Sequence, residues 1–205
     1  MSLRIALGGS ACNPPHIGHL AMVRVVRAMR AFDLVRWDVC GARVEKPDMA
    51  SAHHRVAMTE RLFATDDCVV YGGNAYGSLV PTIRLLEGAA RDHAGAEVVW
   101  CVGVDLLVPQ ERFDGRSEVA ASWVDGERLL REWPCLVLPR RGYPHPSDIA
   151  LPFRAAVLDA ELPNVSSTDI RMRIAARAPF ERLVTPAVAD YIKEYGLYGW
   201  RGSRG

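Results

Sequence analysis

The chain has 205 residues, of which 49% are hydrophobic and 24% charged, and its formal net charge at pH 7 is +1. This length and balance predict a globular protein with a full-sized core, and the near-neutral charge argues against a nucleic acid or an anionic membrane as partner. Five widely spaced cysteines without a Cys-x-x-Cys pair, no signal-peptide pattern and no long apolar run lead us to expect a cytoplasmic protein without disulfides.

Short apolar segments alternate along the chain with longer amphipathic ones. The apolar segments predict six strands: Leu3–Leu7, Trp37–Cys40, Val69–Tyr71, Val98–Val104, Leu136–Leu138 and Ala156–Leu158. Apolar residues at helical spacing predict six helices: Gly18–Phe32, His53–Ala64, Thr82–Ala90, Asp125–Glu132, Thr168–Arg177 and Pro186–Glu194. We expect an exposed loop over Pro109–Val124. The pattern predicts an α/β fold with a doubly wound parallel sheet, forming one domain over residues 1–200 with a disordered tail at 201–205.

The stretch after the first predicted strand has the composition of a phosphate site. Gly8, Gly9 and Ser10 follow the strand, and a helix begins near Ile17. Glycines allow close approach of the backbone to a ligand, and a helix N-terminus attracts an anion. His16 and His19 lie one helical turn apart, so both can face that site. Two other interpretations stay open: a zinc site, which lacks an obvious third ligand, and a pair of capping histidines.

A second candidate anion site lies near the C-terminus. Ser166, Ser167 and Thr168 precede or begin a predicted helix, and Arg171 follows one turn later on the side of Thr168. Hydroxyl groups, a helix N-terminus and an arginine together bind phosphate well. The alternative is an ordinary helix cap followed by a solvated arginine.

These two stretches resemble the signatures of a known superfamily. Gly9-Ser10 with Asn13-Pro14-Pro15-His16-Ile17-Gly18-His19 resembles the (H/T)-x-G-H signature of the nucleotidylyltransferases, and its fuller form resembles the bacterial nicotinate-nucleotide adenylyltransferases. Residues 164–171 resemble the superfamily's I-S-S-T-x-I-R motif. The resemblance covers nearly the whole chain and implies a Rossmann-like fold with C-terminal helices. It implies catalytic roles for His16, His19 and Arg171, and ATP binding by Gly8, Gly9, Ser10, Ser166, Ser167 and Thr168.

Weaker matches imply the remaining site residues. The family's G-x-D, which contacts the adenosine ribose, falls on Gly103 and Asp105, and Arg140 matches an arginine that closes on ATP. For the mononucleotide, the family implies Lys46 near its phosphate, and Thr82 and Trp123 near its pyridine ring. From the residues alone, Asp105 can equally be a strand-end cap, Trp123 a core residue and Arg140 a solvated side chain.

The resemblance implies transfer of AMP from ATP, with Mg²⁺, to nicotinate mononucleotide, giving deamido-NAD and pyrophosphate without a resident metal ligand set. Two departures stand out: the first motif is one residue longer around Ala11-Cys12 and lacks the family's phenylalanine, and residues 78–83 break its S-Y-T-x-x-T-L pattern. Nicotinamide mononucleotide or phosphopantetheine as acceptor, and a nucleotide-binding sensor without turnover, therefore stay open. A homo-oligomer is also allowed.

Overall fold

A computed structural model describes residues 2–41, 48–152 and 154–202 of the chain. The strands are β1 (Arg4–Ser10), β2 (Leu34–Val39), β3 (Val69–Tyr71), β4 (Glu97–Gly103), β5 (Cys135–Leu138) and β6 (Ala155–Val157). The α-helices are α1 (Ile17–Ala28), α2 (Ala52–Leu62), α3 (Thr82–Asp92), α4 (Glu118–Ser122), α5 (Gly126–Glu132), α6 (Ser167–Ala175) and α7 (Pro186–Glu194).

The six strands form one sheet in the order β3-β2-β1-β4-β5-β6. The pairs β1–β4, β4–β5 and β5–β6 are parallel; Arg4 lies opposite Glu97 at one end of the first pair and Leu7 opposite Trp100 at the other. Apolar strands that are covered on both faces are typical of a parallel sheet, and Val98–Trp100 are buried accordingly. The predicted α/β, doubly wound fold is confirmed.

The chain forms two compact units. The first unit comprises Met1–Gly8, Val25–Arg36 and Val80–Leu162, and the second comprises Gly9–Arg24, Trp37–Leu79 and Pro163–Gly205. In the first unit, side chains of β1, β4 and β5 form one apolar cluster with α3, α4 and α5. In the second unit, α2 contacts α7, and large apolar side chains such as Trp37, Ile170 and Phe180 are fully buried.

Several element boundaries differ from the sequence predictions. β1 continues to Ser10, so Gly8, Gly9 and Ser10 end the strand and do not form the expected loop. Gly9 is required there because a Cβ would lie 2.8 Å from the carbonyl oxygen of Asp38 on β2. α1 ends at Ala28, four residues early, where Arg30 adopts a left-handed conformation. The expected loop over 109–124 contains α4, which begins with Ser117 as N-cap.

Candidate active site

The two histidines of the first motif form a stacked pair in the second unit. Their ring centroids lie 3.8 Å apart with an interplanar angle of 17°, and the His16 side chain is buried. His19 also packs edge-on against Trp37, with centroids 5.2 Å apart. The spacing of one helical turn therefore brings both imidazoles together at the start of α1, as the sequence predicts.

Backbone hydrogen bonds define which imidazole nitrogens carry the protons. The amide of Gly18 donates to Nδ1 of His16, and the amide of His16 donates to Nδ1 of His19, both at 3.2 Å. A nitrogen that accepts a hydrogen bond is unprotonated, so in the neutral rings the proton lies on Nε2. This assignment rests on the hydrogen bonds of the two Nδ1 atoms. Each histidine is thus an N–H donor through Nε2.

The extra residue of the first motif is accommodated by the loop between β1 and α1, residues 11–16, which we call the phosphate loop. Cys12 takes a left-handed conformation with φ of 50°, and its side chain is buried. Its Sγ accepts a hydrogen bond from Nε1 of Trp37 at 3.3 Å, and its amide donates to Oγ of Ser10 at 3.1 Å. Burial raises the pKa of the Cys12 thiol, so Cys12 stays a protonated core residue.

The second motif is bound directly to the phosphate loop. Ser167 Oγ donates to the carbonyl oxygen of Pro14 at 2.8 Å, and Nη1 of Arg171 donates to the carbonyl oxygen of Asn13 at 2.7 Å. Nη2 of Arg171 also donates to Thr168 Oγ1 at 3.3 Å. Two motifs about 150 residues apart in sequence are therefore hydrogen-bonded to each other within one unit.

Ser166 serves as the N-cap of α6. Its Oγ accepts from the amide of Asp169 at 3.1 Å, which satisfies one of the unpaired N–H groups at the helix start. The ordinary capping interpretation describes this hydroxyl in the structure, whereas Ser167 and Arg171 have the more specific role of holding the loop. Binding of ATP by Ser166, Ser167 and Thr168 stays a prediction.

Two further side chains that hold the phosphate loop were missed by the sequence analysis. The Tyr198 hydroxyl donates to Oδ1 of Asn13 at 3.0 Å, and the Ala50 amide donates to the same oxygen at 3.0 Å. Burial raises the pKa of Tyr198, so its hydroxyl stays a donor. The signal available was the closing Gly196-Leu197-Tyr198, which resembles the end of the family's last helix and suggests no contact with the loop. The other missed residue is Arg55, which is discussed below.

The candidate ribose site lies in the first unit, at the end of β4. Asp105 Oδ2 accepts from Nη1 of Arg140 at 2.8 Å, which joins two residues predicted separately. Asp105 Oδ1 is buried and has no hydrogen-bond partner among the described residues. A Cβ at Gly103 would overlap this oxygen, so a larger residue there would force the Asp105 carboxylate to move. Burial raises the pKa of Asp105, and the Arg140 cation counteracts part of that rise.

Trp123 and Thr82, the candidate residues near the pyridine ring, also lie in the first unit. Trp123 is half-buried between α4 and α5, packs on the apolar cluster and lies 6.1 Å from the Trp100 ring. It therefore has a core contact, while part of its surface is exposed. Thr82 is the first residue of α3 and is half-buried. Lys46 lies outside the described residues.

In the described part of the chain, no three His, Cys, Asp or Glu side chains come together in a group that could hold a metal ion. No helix described in the structure combines the length and apolar character needed to cross a bilayer.

Known proteins with similar sequences agree with the motifs. A family model described as cytidylyltransferase-like matches residues 7–173. A protein named probable nicotinate-nucleotide adenylyltransferase, from Synechococcus sp. (strain JA-3-3Ab), is 31% identical over 212 residues, covering 95% of this chain and 94% of its own. The chain belongs to the nicotinate-nucleotide adenylyltransferase family. A second relative of that name, from Synechococcus sp. (strain JA-2-3B'a(2-13)), is 30% identical and covers 95% and 96%.

A solved structure confirms the fold of this family member. The structure of Plasmodium falciparum nicotinic acid mononucleotide adenylyltransferase complexed with NaAD superposes with a TM-score of 0.82. It covers 97% of this chain and 98% of its own, at 19% sequence identity. At that identity, the likeness concerns the fold, and the roles of individual site residues depend on the geometry described above.

Proposed function

We propose that the protein transfers AMP from ATP to nicotinate mononucleotide, releasing pyrophosphate and forming deamido-NAD. The observation that carries this proposal is the binding of the second motif to the phosphate loop by Ser167 and Arg171. A capped helix with a solvated arginine would not need those two bonds across the chain. Membership of the nicotinate-nucleotide adenylyltransferase family supports the same reaction.

The reaction proceeds by direct displacement at phosphorus. A phosphate oxygen of the mononucleotide attacks the α-phosphorus of ATP, and a new P–O bond forms. The bond from the α-phosphorus to the bridging oxygen breaks, and pyrophosphate leaves with its electron pair. The attacking phosphate is already ionised at neutral pH, so no general base is needed. Cys12, the nearest potential nucleophile in the first motif, is buried and protonated, which is consistent with direct attack.

Catalysis in this mechanism is positioning and charge stabilisation. His16 and His19 donate through Nε2–H to oxygens of the triphosphate, where negative charge grows as the bond to pyrophosphate breaks. Their Nδ1 atoms accept backbone N–H bonds, so both rings are fixed before substrate binds. The start of α6 contributes amide N–H groups together with the Arg171 guanidinium. Gly8, Gly9 and Ser10 let the backbone at the end of β1 approach the nucleotide.

The nucleoside side of the reaction is assigned to the first unit. Asp105 Oδ1, buried and without a described partner, accepts a hydrogen bond from a ribose hydroxyl, and Arg140 holds the other carboxylate oxygen. The exposed part of Trp123 stacks on the pyridine ring. We assign Thr82 to the same acceptor, and Lys46 to its phosphate on the family resemblance alone.

Magnesium is proposed to enter as part of the nucleotide substrate. Mg²⁺ in such enzymes is held by one or two carboxylates and by substrate phosphates, with several waters. Among the described residues, no three His, Cys, Asp or Glu side chains form a cluster that could hold the ion. The ion, carried by ATP, neutralises triphosphate charge, and the protein's own contribution is to orient the phosphates. The odd number of spaced cysteines leads us to propose that this occurs in the cytoplasm.

The test is pyrophosphate release in a single turnover with ATP and either nicotinate or nicotinamide mononucleotide. We expect release with the nicotinate form and a lower kcat/KM with the nicotinamide form. Preference for the nicotinamide form would change the acceptor assignment. Residues 78–83, which depart from the family pattern, are the reason for testing both acceptors. ATP binding without release would instead identify a nucleotide-binding sensor, the second candidate, which the lengthened phosphate loop favours.

A further inference from the structure

Arg55 is a buried arginine on α2 whose guanidinium lies beneath the phosphate loop. Only 2% of its surface is exposed. Arginine is rarely buried this completely unless it is paired with an acidic group. The sequence places it in a stretch, residues 54–58, that resembles a helix of the family, but gives no role for its side chain.

The guanidinium joins four separate segments of the second unit through their carbonyl oxygens. Nη1 donates to Ala11 in the phosphate loop at 2.9 Å and to Cys40, just after β2, at 2.7 Å. Nε donates to Ala50 before α2 at 3.1 Å, and Nη2 donates to Ala75 in a 3-10 turn at 3.3 Å. The planar fork of arginine makes such a set possible, whereas the single amine of lysine does not reproduce it.

The contact with Ala11 falls on the part of the loop that departs from the family pattern. Ala11 and Cys12 occupy the place of one residue in the family motif, and Cys12 has a positive φ. A reversed conformation of this kind persists only when its surroundings hold it. Arg55 provides that restraint by its bond to the carbonyl oxygen of Ala11. Arg171 and Ser167 bind the carbonyl oxygens of Asn13 and Pro14 further along the loop.

The charge of Arg55 is not neutralised by an acidic group in the described part of the chain. Its hydrogen-bond partners are all carbonyl oxygens, which are dipoles and not anions. Burial lowers the pKa of Arg55, which reflects the unfavourable transfer of a cation from water. The guanidinium nevertheless stays protonated at neutral pH. A triphosphate bound at the loop would supply the missing negative charge.

We propose that Arg55 is a positioning residue for the adenylyl transfer, fixing the lengthened phosphate loop through Ala11 and adding a buried positive charge that favours triphosphate binding. This inference rests on the proposed function. Arg55 acts through the loop, and its effect has two parts that can be measured separately. The geometry of its hydrogen bonds affects kcat, and its charge affects the affinity for triphosphate.

The test uses the full chain with Arg55→Met, which removes both contributions, and Arg55→Lys, which keeps the charge but loses the fork. We expect Arg55→Met to lower kcat about 10- to 100-fold and to raise KM for ATP, because small displacements of catalytic groups have effects of this size. Arg55→Lys should restore KM for ATP toward the wild-type value while kcat stays low. This split between KM and kcat would not follow from a purely structural role.

Met58→Ala is the matched control. Met58 is fully buried on the same helix, so its truncation lowers the melting temperature, and its thioether has no N–H that could hold a carbonyl oxygen of the phosphate loop. Its kcat and KM should stay within about twofold of wild type. If Met58→Ala loses kcat as much as Arg55→Met, or if Arg55→Lys keeps the wild-type kcat, the proposal is overturned. The Lys variant decides the matter where Arg55→Met does not fold.

A binding measurement separates this proposal from the proposed function. The rise in melting temperature on adding ATP or inorganic tripolyphosphate reports binding without turnover. We expect the rise to be lost in Arg55→Met and kept in Arg55→Lys and Met58→Ala. A wild-type protein that releases no pyrophosphate would contradict the proposed function, whereas an unchanged rise in Arg55→Met would contradict only the role of Arg55.

Discussion

The phosphate loop in the second unit and the nucleoside residues Asp105, Trp123 and Arg140 in the first unit are held in different ways. The side chains that bind the loop include Arg55, Ser167, Arg171 and Tyr198, which come from distant parts of the chain. Three of them bind main-chain carbonyl oxygens, which side-chain substitutions within the loop leave in place. Asp105, in contrast, has one described side-chain partner, Arg140, whose side chain is 53% exposed.

This difference matches the role that we propose for each region. Stabilising charge at a reacting phosphorus requires donors that do not reorganise, so the groups that carry them are best fixed from several sides. Selecting a nucleoside requires contacts that differ between acceptors, and a few half-exposed side chains suffice for that. We therefore expect substitutions near the loop to lower kcat, and substitutions in the nucleoside region to change KM or pH dependence.

The substitution with the largest expected effect is His19→Ala. It removes one Nε2–H donor and also the acceptor of the His16 amide, which lies 3.2 Å from Nδ1 of His19. We expect kcat to fall by about two orders of magnitude or more, the scale observed when a single oxyanion donor is lost. Stopped-flow pyrophosphate release measures this directly.

His53→Ala is the control for His19→Ala, because His53 is an exposed histidine on α2 in the same unit. Its kcat should equal that of wild type. A His19→Ala enzyme with near-normal kcat and a raised KM would remove the contrast between the two regions, since the loop would then act only in binding.

The sequence allowed the fold to be predicted because burial dominates a parallel sheet. In the described part of the chain, all six strands and six of the seven α-helices follow from apolar segments and helical spacing. α4 was missed because it has only five residues, too few for a helical period to emerge. The two ends of α1 and β1 were misplaced for local reasons: the left-handed Arg30 and the close approach at Gly9.

The candidate site was predictable only where a motif carries it. The closeness of His16 and His19 followed from their spacing, and the two motifs marked Arg171 as a candidate, whereas its bond to the loop is seen only in the structure. Arg55 and Tyr198 could not be found in this way, because their partners are 44 and 185 residues distant and are mostly carbonyl oxygens, which every residue has. Sequence patterns report side chains and their local spacing, whereas Arg55 binds the backbone and Tyr198 binds a side chain at the other end of the chain.

Trp123→Ala is the next largest expected effect and probes the first unit. If the exposed part of the indole stacks on the acceptor ring, its loss should raise KM for nicotinate mononucleotide about 10-fold and leave KM for ATP unchanged. Trp133→Ala is the matched control, since Trp133 packs on the same apolar cluster. An equal effect of the two variants on KM would identify Trp123 as a core residue only.

Ser167→Ala tests whether one bond to the phosphate loop matters by itself. The variant loses the 2.8 Å bond from Oγ to the carbonyl oxygen of Pro14 while α6 keeps its Ser166 cap. A hydrogen bond of this kind contributes about 1 kcal/mol, so kcat/KM for ATP should fall about fivefold. Ser51→Ala, which removes the cap of α2, serves as the control for losing a hydroxyl. Equal values of kcat/KM for ATP in both variants would show that the loop is held sufficiently by its remaining hydrogen bonds.

Arg140→Met has the smallest expected effect on rate and the most specific effect on pH dependence. Asp105 accepts from a ribose hydroxyl most strongly when it is ionised, and burial raises its pKa, so the acid limb of kcat/KM for ATP should lie above that of an ordinary aspartate. The Arg140 cation lowers the pKa of Asp105, and its removal should move the acid limb to still higher pH. Arg128→Met, which removes an exposed cation paired with Glu87 and Glu132, should leave the limb in place. An acid limb that does not move in Arg140→Met would mean that Asp105 is not the group that titrates, and the nucleoside region would then lose its only described electrostatic contribution to ATP binding.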